Sequence, residues 1–172
     1  MTGQLDVRPF VPDDSTRIEA IRRDALRSAG ATYGDALDPV DPDDLLGDYI
    51  DSDGAFLVGT LDGSVVATAA FRPAGEFERA VFDEVDAATA ELKWMHVDPA
   101  HHRRGFASAM LEKLESLAVD RGFDSFVLHT SEDQTAAQGF YERHGFELVT
   151  RTDETIGDAS FEALHYQREL SG

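Results

Sequence analysis

The stretch ELKWMHVDPAHHRRGFASAMLEKLESLAVDRGFDSFVLHT, residues 91–130, restricts the fold more than any other part of the chain. AELKWMHV reads as a buried strand that stops at Asp98-Pro99, because the residue before a proline is pushed toward extended backbone. From Gly105 to Arg121 the apolar residues Phe106, Met110, Leu114 and Leu117 fall on one helical face, and Gly122 supplies the stop. FDSFVLHT is again a strand. A strand–helix–strand crossover at the centre of the chain places it among the α/β folds.

The flanks extend this pattern. LDVRPF is a short first strand with Leu5 and Val7 on one face, and residues 13–28 form a helix with Ile18, Ile21, Ala25 and Ala29 at spacings of three and four. Asp13, Asp14 and Ser15 occupy the positions where a helix start favours short acceptors and negative charge. A turn-rich loop, ATYGDALDPVDPDD, leads to a short helix over residues 43–50. AFLVGTLDGSVVATAAFRP is a hairpin closed by Asp62-Gly63, and AGEFERAVFDEVDAATA reads as a long loop or extended connection. SEDQTAAQGFYERHG is a helix with Ala137, Phe140, Tyr141 and His144 on one side. FELVTR and FEALHYQREL are two last strands joined by the turn-rich TDETIGDAS. At 172 residues the chain is expected to be one domain spanning 1–172.

Charge decides what this domain can bind. There are 34 acidic against 15 basic residues, a formal charge of −19, with Lys93 and Lys113 the only lysines. Such a surface argues against nucleic acid and against an anionic membrane. The chain resembles proteins adapted to high salt, whose acidic surfaces stay soluble there; a cationic substrate is the other reading of the same acidity. No apolar run approaches membrane-spanning length, no secretory signal is evident, and the cytoplasm is the default compartment. The absence of cysteine excludes disulfides, thiolate zinc sites and a cysteine nucleophile.

Against that background His101, His102, Arg103 and Arg104 stand together at one helix entrance. Helix starts carry unpaired N–H groups and the positive end of the dipole, so they hold phosphate; Gly105 lets backbone approach a ligand, and Ala107 and Ser108 keep the entrance small. No G-x-x-x-x-G-K-S/T and no G-x-G-x-x-G after the first strand is present, which removes P-loop and dinucleotide-binding readings. A metal site at Asp98, His101 and His102 matches no zinc spacing, and no metal is expected.

ELKWMHVDPAHHRRGFASAML resembles the acyl-CoA-binding motif of the GNAT (GCN5-related N-acetyltransferase) superfamily: a strand ending in V-x-P, then Q/R-x-x-G-x-G/A opening a helix. QTAAQGFYERHGFEL resembles the family's N-x-x-A-x-x-x-Y-E-x-x-G-F helix and following strand. Two departures stand out, His102 in place of glutamine or arginine and Gln134 in place of asparagine. The resemblance implies a GNAT acyl-CoA N-acyltransferase fold. Its mixed, mostly antiparallel central sheet has about seven strands and is flanked by about four helices. It implies an N-acetyltransferase that moves an acetyl group from acetyl-CoA, its co-substrate, to a primary amine by direct attack in a ternary complex. A longer acyl group, or a non-catalytic acyl-CoA-sensing or protein-interaction module on the same fold, are the alternatives. Dimers are common in the family, so a homodimer is compatible with it.

Residue by residue, the resemblance places Met95, His96 and Val97 against the pantetheine arm and thioester. A bulge usual in that strand aims an N–H at the thioester carbonyl. His102, Arg103, Arg104, Gly105, Phe106, Ala107 and Ser108 form the pyrophosphate cradle, and Gln134 and Ala137 line the far side of the cleft. Tyr141 matches the family's usual general acid, and a phenol with its pKa near 10 stays protonated at neutral pH. The general base is left between His129 and Glu91, the latter acting through water, or no dedicated base at all. The acceptor is usually chosen by segments matching residues 28–47 and 152–160. There Asp35, Asp38, Asp41, Asp153, Glu154 and Asp158 could attract a cationic amine.

Overall fold

A computed structural model describes residues 4–31, 37 and 39–170; Asp35 and Asp38 lie outside the described residues. Seven strands, β1 (Asp6–Pro9), β2 (Ala55–Leu61), β3 (Ser64–Pro73), β4 (Thr89–Val97), β5 (Ser125–Ser131), β6 (Glu147–Ile156) and β7 (Ala159–Glu169), form one sheet in the order β1-β2-β3-β4-β5-β7-β6. Every neighbouring pair is antiparallel except β4 and β5, which the crossover makes parallel. The helices are α1 (Ser15–Ser28), α2 (Pro42–Leu45) with a π-helical turn at Leu46–Ile50, α3 (Glu76–Val81), α4 (Phe106–Asp120) and α5 (Thr135–Arg143). No helix among the described residues is long and apolar enough to cross a membrane.

Both faces of the sheet are covered, which is why β2 and β3 read as nearly continuous apolar runs. On one face α4 and α5 bury Met110, Leu111, Leu114, Ala118 and Tyr141 against Ala90, Leu92, Phe126 and Leu128. On the other, Ile18 and Ile21 of α1, with Leu45 and Tyr49, cover Phe56, Val58, Val65 and Ala70. A small third cluster of Ala74, Phe82 and Val127 lies on that second face beside α3. Gly59 lets α4 approach β2, since a Cβ there would sit 2.9 Å from Met110 Sδ.

Two irregularities shape the middle of the sheet. First, β4 and β5 share only three registered pairs, Thr89–Ser125, Ala90–Phe126 and Glu91–Val127, and beyond them form no ladder across the gap. Second, the β3–β4 register slips: Ala67 faces Val97 and Thr68 faces His96, but Ala70 faces Lys93, so Trp94 and Met95 together oppose Ala69. Trp94 carries the extra residue with φ 59°, a conformation that costs a bulky side chain about 1–2 kcal/mol.

Two segments differ from expectation. Residues 76–81, read as loop, are helix α3, opened at Gly75, whose N–H donates to Glu78 Oε2 at 2.7 Å. With glycine at the cap there is no hydroxyl to announce the start. The last two strands are longer than expected: residues 152–156 continue β6, and only Gly157 and Asp158 separate it from β7. Gly157 takes φ 59° in that tight turn, and charged side chains are tolerated because β6 is an edge strand.

Candidate active site

The start of α4 is built by a chain of local constraints. Asp98 caps the turn at Pro99–His101 by accepting the Ala100 N–H at 3.0 Å, and its other oxygen meets Arg17 of α1 at 2.5 Å. Burial works against ionisation of Asp98, but the Ala100 amide and the Arg17 guanidinium outweigh it and hold the carboxyl below its usual range. Arg17 also donates to Val65 O at 2.9 Å, so α1 clamps the end of β4 to the start of β3. Arg103 and Gly105 then take φ 64° and 78°, turning the chain into α4 with no side chain capping the helix start.

This entrance opens into a cleft of about 540 Å³ between the end of β4, the turn, and the starts of α4 and α5. Met95, His96, Val97, His102, Arg103, Gly105, Phe106, Ala107, Ser108, Gln134, Ala137 and Tyr141 all line it. Its cationic and imidazole groups are Arg103, Arg143, His96, His101 and His102, and among the described residues no aspartate or glutamate lines it. In a chain with 34 acidic residues this is the opposite of the average surface.

Arg104 is not among the lining residues. Its guanidinium donates to His101 Nδ1 at 3.1 Å and lies 5.1 Å from the centre of the Phe106 ring, so it braces the turn. His102 points Nε2 at Val97 O, 3.1 Å away, tying the turn back to the strand end. Across the cleft, Ser108 Oγ meets Nε2 of His144, the residue that caps the end of α5, at 3.0 Å, while His144 Nδ1 donates to Phe140 O at 2.8 Å. The bond joins α4 to α5. Gln134 donates to Ser131 Oγ at 3.1 Å, anchoring the start of α5 to the end of β5.

The acid and base candidates lie on opposite faces of the sheet. Tyr141 belongs to the α4 side, 7% exposed, with Phe140 and Phe146 rings at 5.4 and 5.5 Å. Glu91 alternates with Ala90 and Leu92, which face α4, and therefore faces the α1 and α3 side. His129 likewise faces away from Leu128, and its ring lies 5.6 Å from Phe77 and 5.5 Å from His165. Neither lines the cleft. The β4–β5 pairing ends at Glu91–Val127, so the two strands diverge immediately past Glu91.

The two base candidates are tuned in opposite directions. Burial first, then the Glu78 hydrogen bond, push the Glu91 carboxyl up to about 7, against Lys93 and Arg72. Burial, then Lys93 and His165, lower the His129 imidazole to about 4. His96 is also lowered to about 4 by burial, Arg22 and Lys93. Among the described residues no group of three or more histidine, cysteine, aspartate or glutamate side chains is arranged to hold a metal ion.

Several site residues escaped the sequence reading. Ala25 of α1, Ala29 just past its end, Ala136, Phe140 and Arg143 line the cleft. The four-residue spacing of Ala25 and Ala29 marked an apolar face without saying that it bordered a cavity. Of the acceptor-segment acids, Asp41 caps α2 by accepting the Asp43 N–H at 2.9 Å, and Asp153 and Glu154 lie on β6.

Comparison with known proteins adds an independent line. A family model described as the acetyltransferase (GNAT) family matches residues 18–146. N-acetyltransferase Eis of Mycobacterium bovis is 32% identical over 130 residues, 69% of this chain and 31% of its own length. The Mycobacterium tuberculosis Eis matches equally, so the chain spans about a third of the length of these curated relatives. Among solved structures, yncA from Salmonella typhimurium with its cofactor acetyl-CoA superposes with a TM-score of 0.73 at 21% identity, over 97% of this chain and 94% of that one. The ribosomal-protein-alanine N-acetyltransferase from Brucella melitensis gives 0.76 at 19%, over 96% and 99%.

Proposed function

The chain belongs to the acetyltransferase (GNAT) family, and on that premise we propose that it transfers an acetyl group from acetyl-CoA to a primary amine by direct attack in a ternary complex. The observation that carries this reading is the cleft, which no acidic side chain among the described residues lines. A helix start without a side-chain cap, a left-handed Gly105 and two arginines converge where the rest of the surface is acidic. That donor set suits a polyanion such as the diphosphate of coenzyme A. The continuous seven-stranded sheet supports treating residues 1–172 as a single domain.

In this reading the amides at the start of α4, with Arg103, hold the diphosphate, and Arg104 acts from behind by bracing the turn. Met95, His96 and Val97, displaced by the Trp94 bulge, present backbone to the thioester and steady negative charge developing on its oxygen. Tyr141 gives its phenolic proton to the departing sulfur. Glu91 is the proposed base: a carboxyl with its pKa near neutrality both exists as carboxylate and accepts a proton strongly. His129, lowered to about 4, is neutral at pH 7 but binds a proton too weakly to compete with an alkylamine. Because Glu91 is only 2% exposed and faces away from Tyr141, it acts through water in the gap between β4 and β5.

A panel of amines assayed by release of free CoA thiol tests the proposal, alongside the melting temperature with and without acetyl-CoA. Acetyl-CoA at a hundredfold excess over Kd should stabilise the protein by about 2.7 kcal/mol, and at least one amine should release thiol. Stabilisation without turnover on any amine would instead favour an acyl-CoA-sensing module.

A further inference from the structure

Several arginines of this acidic chain are matched with a carboxylate: Arg8 with Asp14 at 2.9 Å, Arg17 with Asp98 at 2.5 Å, Arg151 with Glu162 at 2.8 Å and Arg168 with Glu115 at 2.7 Å. Arg103 and Arg143, which line the cleft, have no carboxylate partner among the described residues. The acid beside Arg143 in sequence, Glu142, is engaged elsewhere, accepting the Tyr166 hydroxyl at 3.0 Å. A guanidinium left without a carboxylate in a chain with 34 acidic residues is available to an anion from solution.

The two arginines reach the cleft from different elements. Arg103 stands in the turn before α4, and Arg143 is the last residue of α5. The Ser108–His144 contact at 3.0 Å sets the residue after Arg143 against the first turn of α4. Arg103 and Arg143 therefore flank one helix entrance from opposite walls. Gly139 keeps the α5 wall open, because a Cβ there would lie 3.2 Å from Arg143 Nη1. The guanidinium thus folds back along its own helix, over the position four residues earlier. Glycine inside a helix is destabilising relative to alanine, and here the missing methyl group leaves room for that side chain.

We propose that Arg143 is a specificity-determining residue for the cofactor, its guanidinium binding the ribose 3′-phosphate of coenzyme A while Arg103 and the α4 amides hold the diphosphate. This rests on coenzyme A being the ligand of the cleft, as proposed above. Coenzyme A carries its phosphates in two places, a diphosphate bridge and a monophosphate on the ribose. The start of α4 concentrates amide donors at one point, which suits the diphosphate. The monophosphate needs a second, separate cation, and Arg143 on the facing wall supplies it. A planar guanidinium can meet two phosphate oxygens at once, which a point charge cannot. Arg143 is exposed, so this contact sits at the solvent-facing side of the cleft and adds selectivity without closing the site.

Calorimetric titration of the wild type, Arg143→Gln and Arg103→Gln with coenzyme A and with 3′-dephospho-coenzyme A tests the assignment. The wild type should bind coenzyme A at least about fivefold more tightly than the dephospho form. Arg143→Gln should lose that difference, with weaker binding of coenzyme A and unchanged binding of the dephospho form. Arg103→Gln should weaken both ligands and keep the difference. Equal weakening of both ligands in Arg143→Gln, or a difference that survives there, overturns the role of Arg143 and leaves coenzyme A as the ligand of the cleft. A wild type that binds the two ligands equally overturns it without recourse to any variant. A wild type that binds neither ligand overturns both this assignment and the reading of the cleft on which it rests.

Discussion

Thr68 Oγ1 donates a 2.6 Å hydrogen bond to the carbonyl of Trp94, pinning β4 at the residue where its backbone turns left-handed. Thr68 is 1% exposed, so removing its hydroxyl leaves that carbonyl without this partner in a dry setting. Thr68→Val should cost about 1–3 kcal/mol in urea unfolding, and Thr68→Ser much less. If the bulge presents backbone to the thioester, Thr68→Val should also lower kcat more than it raises KM for acetyl-CoA.

Tyr141 lines the cleft while most of its ring packs between Phe140 and Phe146. Tyr141→Phe keeps that packing and deletes the proton. Turnover at saturating substrates should fall by about 10²-fold or more, with acetyl-CoA affinity by calorimetry within a few fold of wild type. Wild-type turnover in this variant would remove Tyr141 from the chemistry.

Gly105 opens α4 at φ 78°, and a Cβ built there meets nothing within 4 Å. The cost of Gly105→Ala is therefore backbone strain and not collision, about 1–2 kcal/mol. Relaxation of that strain would re-aim the amides that follow. Acetyl-CoA should bind several-fold more weakly while the melting temperature of the free protein drops by a few degrees.

The buried imidazole and the buried carboxyl respond to pH with opposite sign. His129 binds its proton more weakly folded than unfolded, so its contribution to stability is present above about pH 6.5 and is lost as pH falls toward 4. Glu91 binds its proton more tightly folded than unfolded, so its contribution is present below about pH 4.5 and is lost as pH rises through 7. The penalty of His129→Asn relative to wild type should shrink as pH drops from about 6.5 to 4. Glu91→Gln should gain on wild type as pH rises from about 4.5 to 7. Urea midpoints at three pH values separate the two; parallel wild-type and variant curves would contradict both assignments.

The segment around α4 was legible because each signal agreed: Asp98-Pro99 ended the strand, Gly105 opened the helix, and Met110 and Leu114 marked its buried face. The cleft residues came from the resemblance of this stretch and of QTAAQGFYERHGFEL to the GNAT motifs, because a basic, glycine-containing helix start taken alone is more often a solvated turn. What the sequence could not supply depended on register and long-range packing. Strict alternation in ELKWMHV would set Leu92 and Trp94 on one face, whereas the bulge moves Trp94 to the α1 side, 5.5 Å from the Phe56 ring, and Met95 to the side of Leu92. Helix α3 has six residues and a glycine cap, too little to register as a period.

Three residue pairs join β4 to β5, and they divide the sheet into two plates, β1–β4 and β5–β7, seamed along a short weld. Anything seated in the gap beyond Glu91 bridges both plates at once. Occupancy should then register as mechanical coupling across the molecule: amides of β4 after Glu91 and of β5 after Val127 should exchange with deuterium together when a ligand spans them and separately when none does.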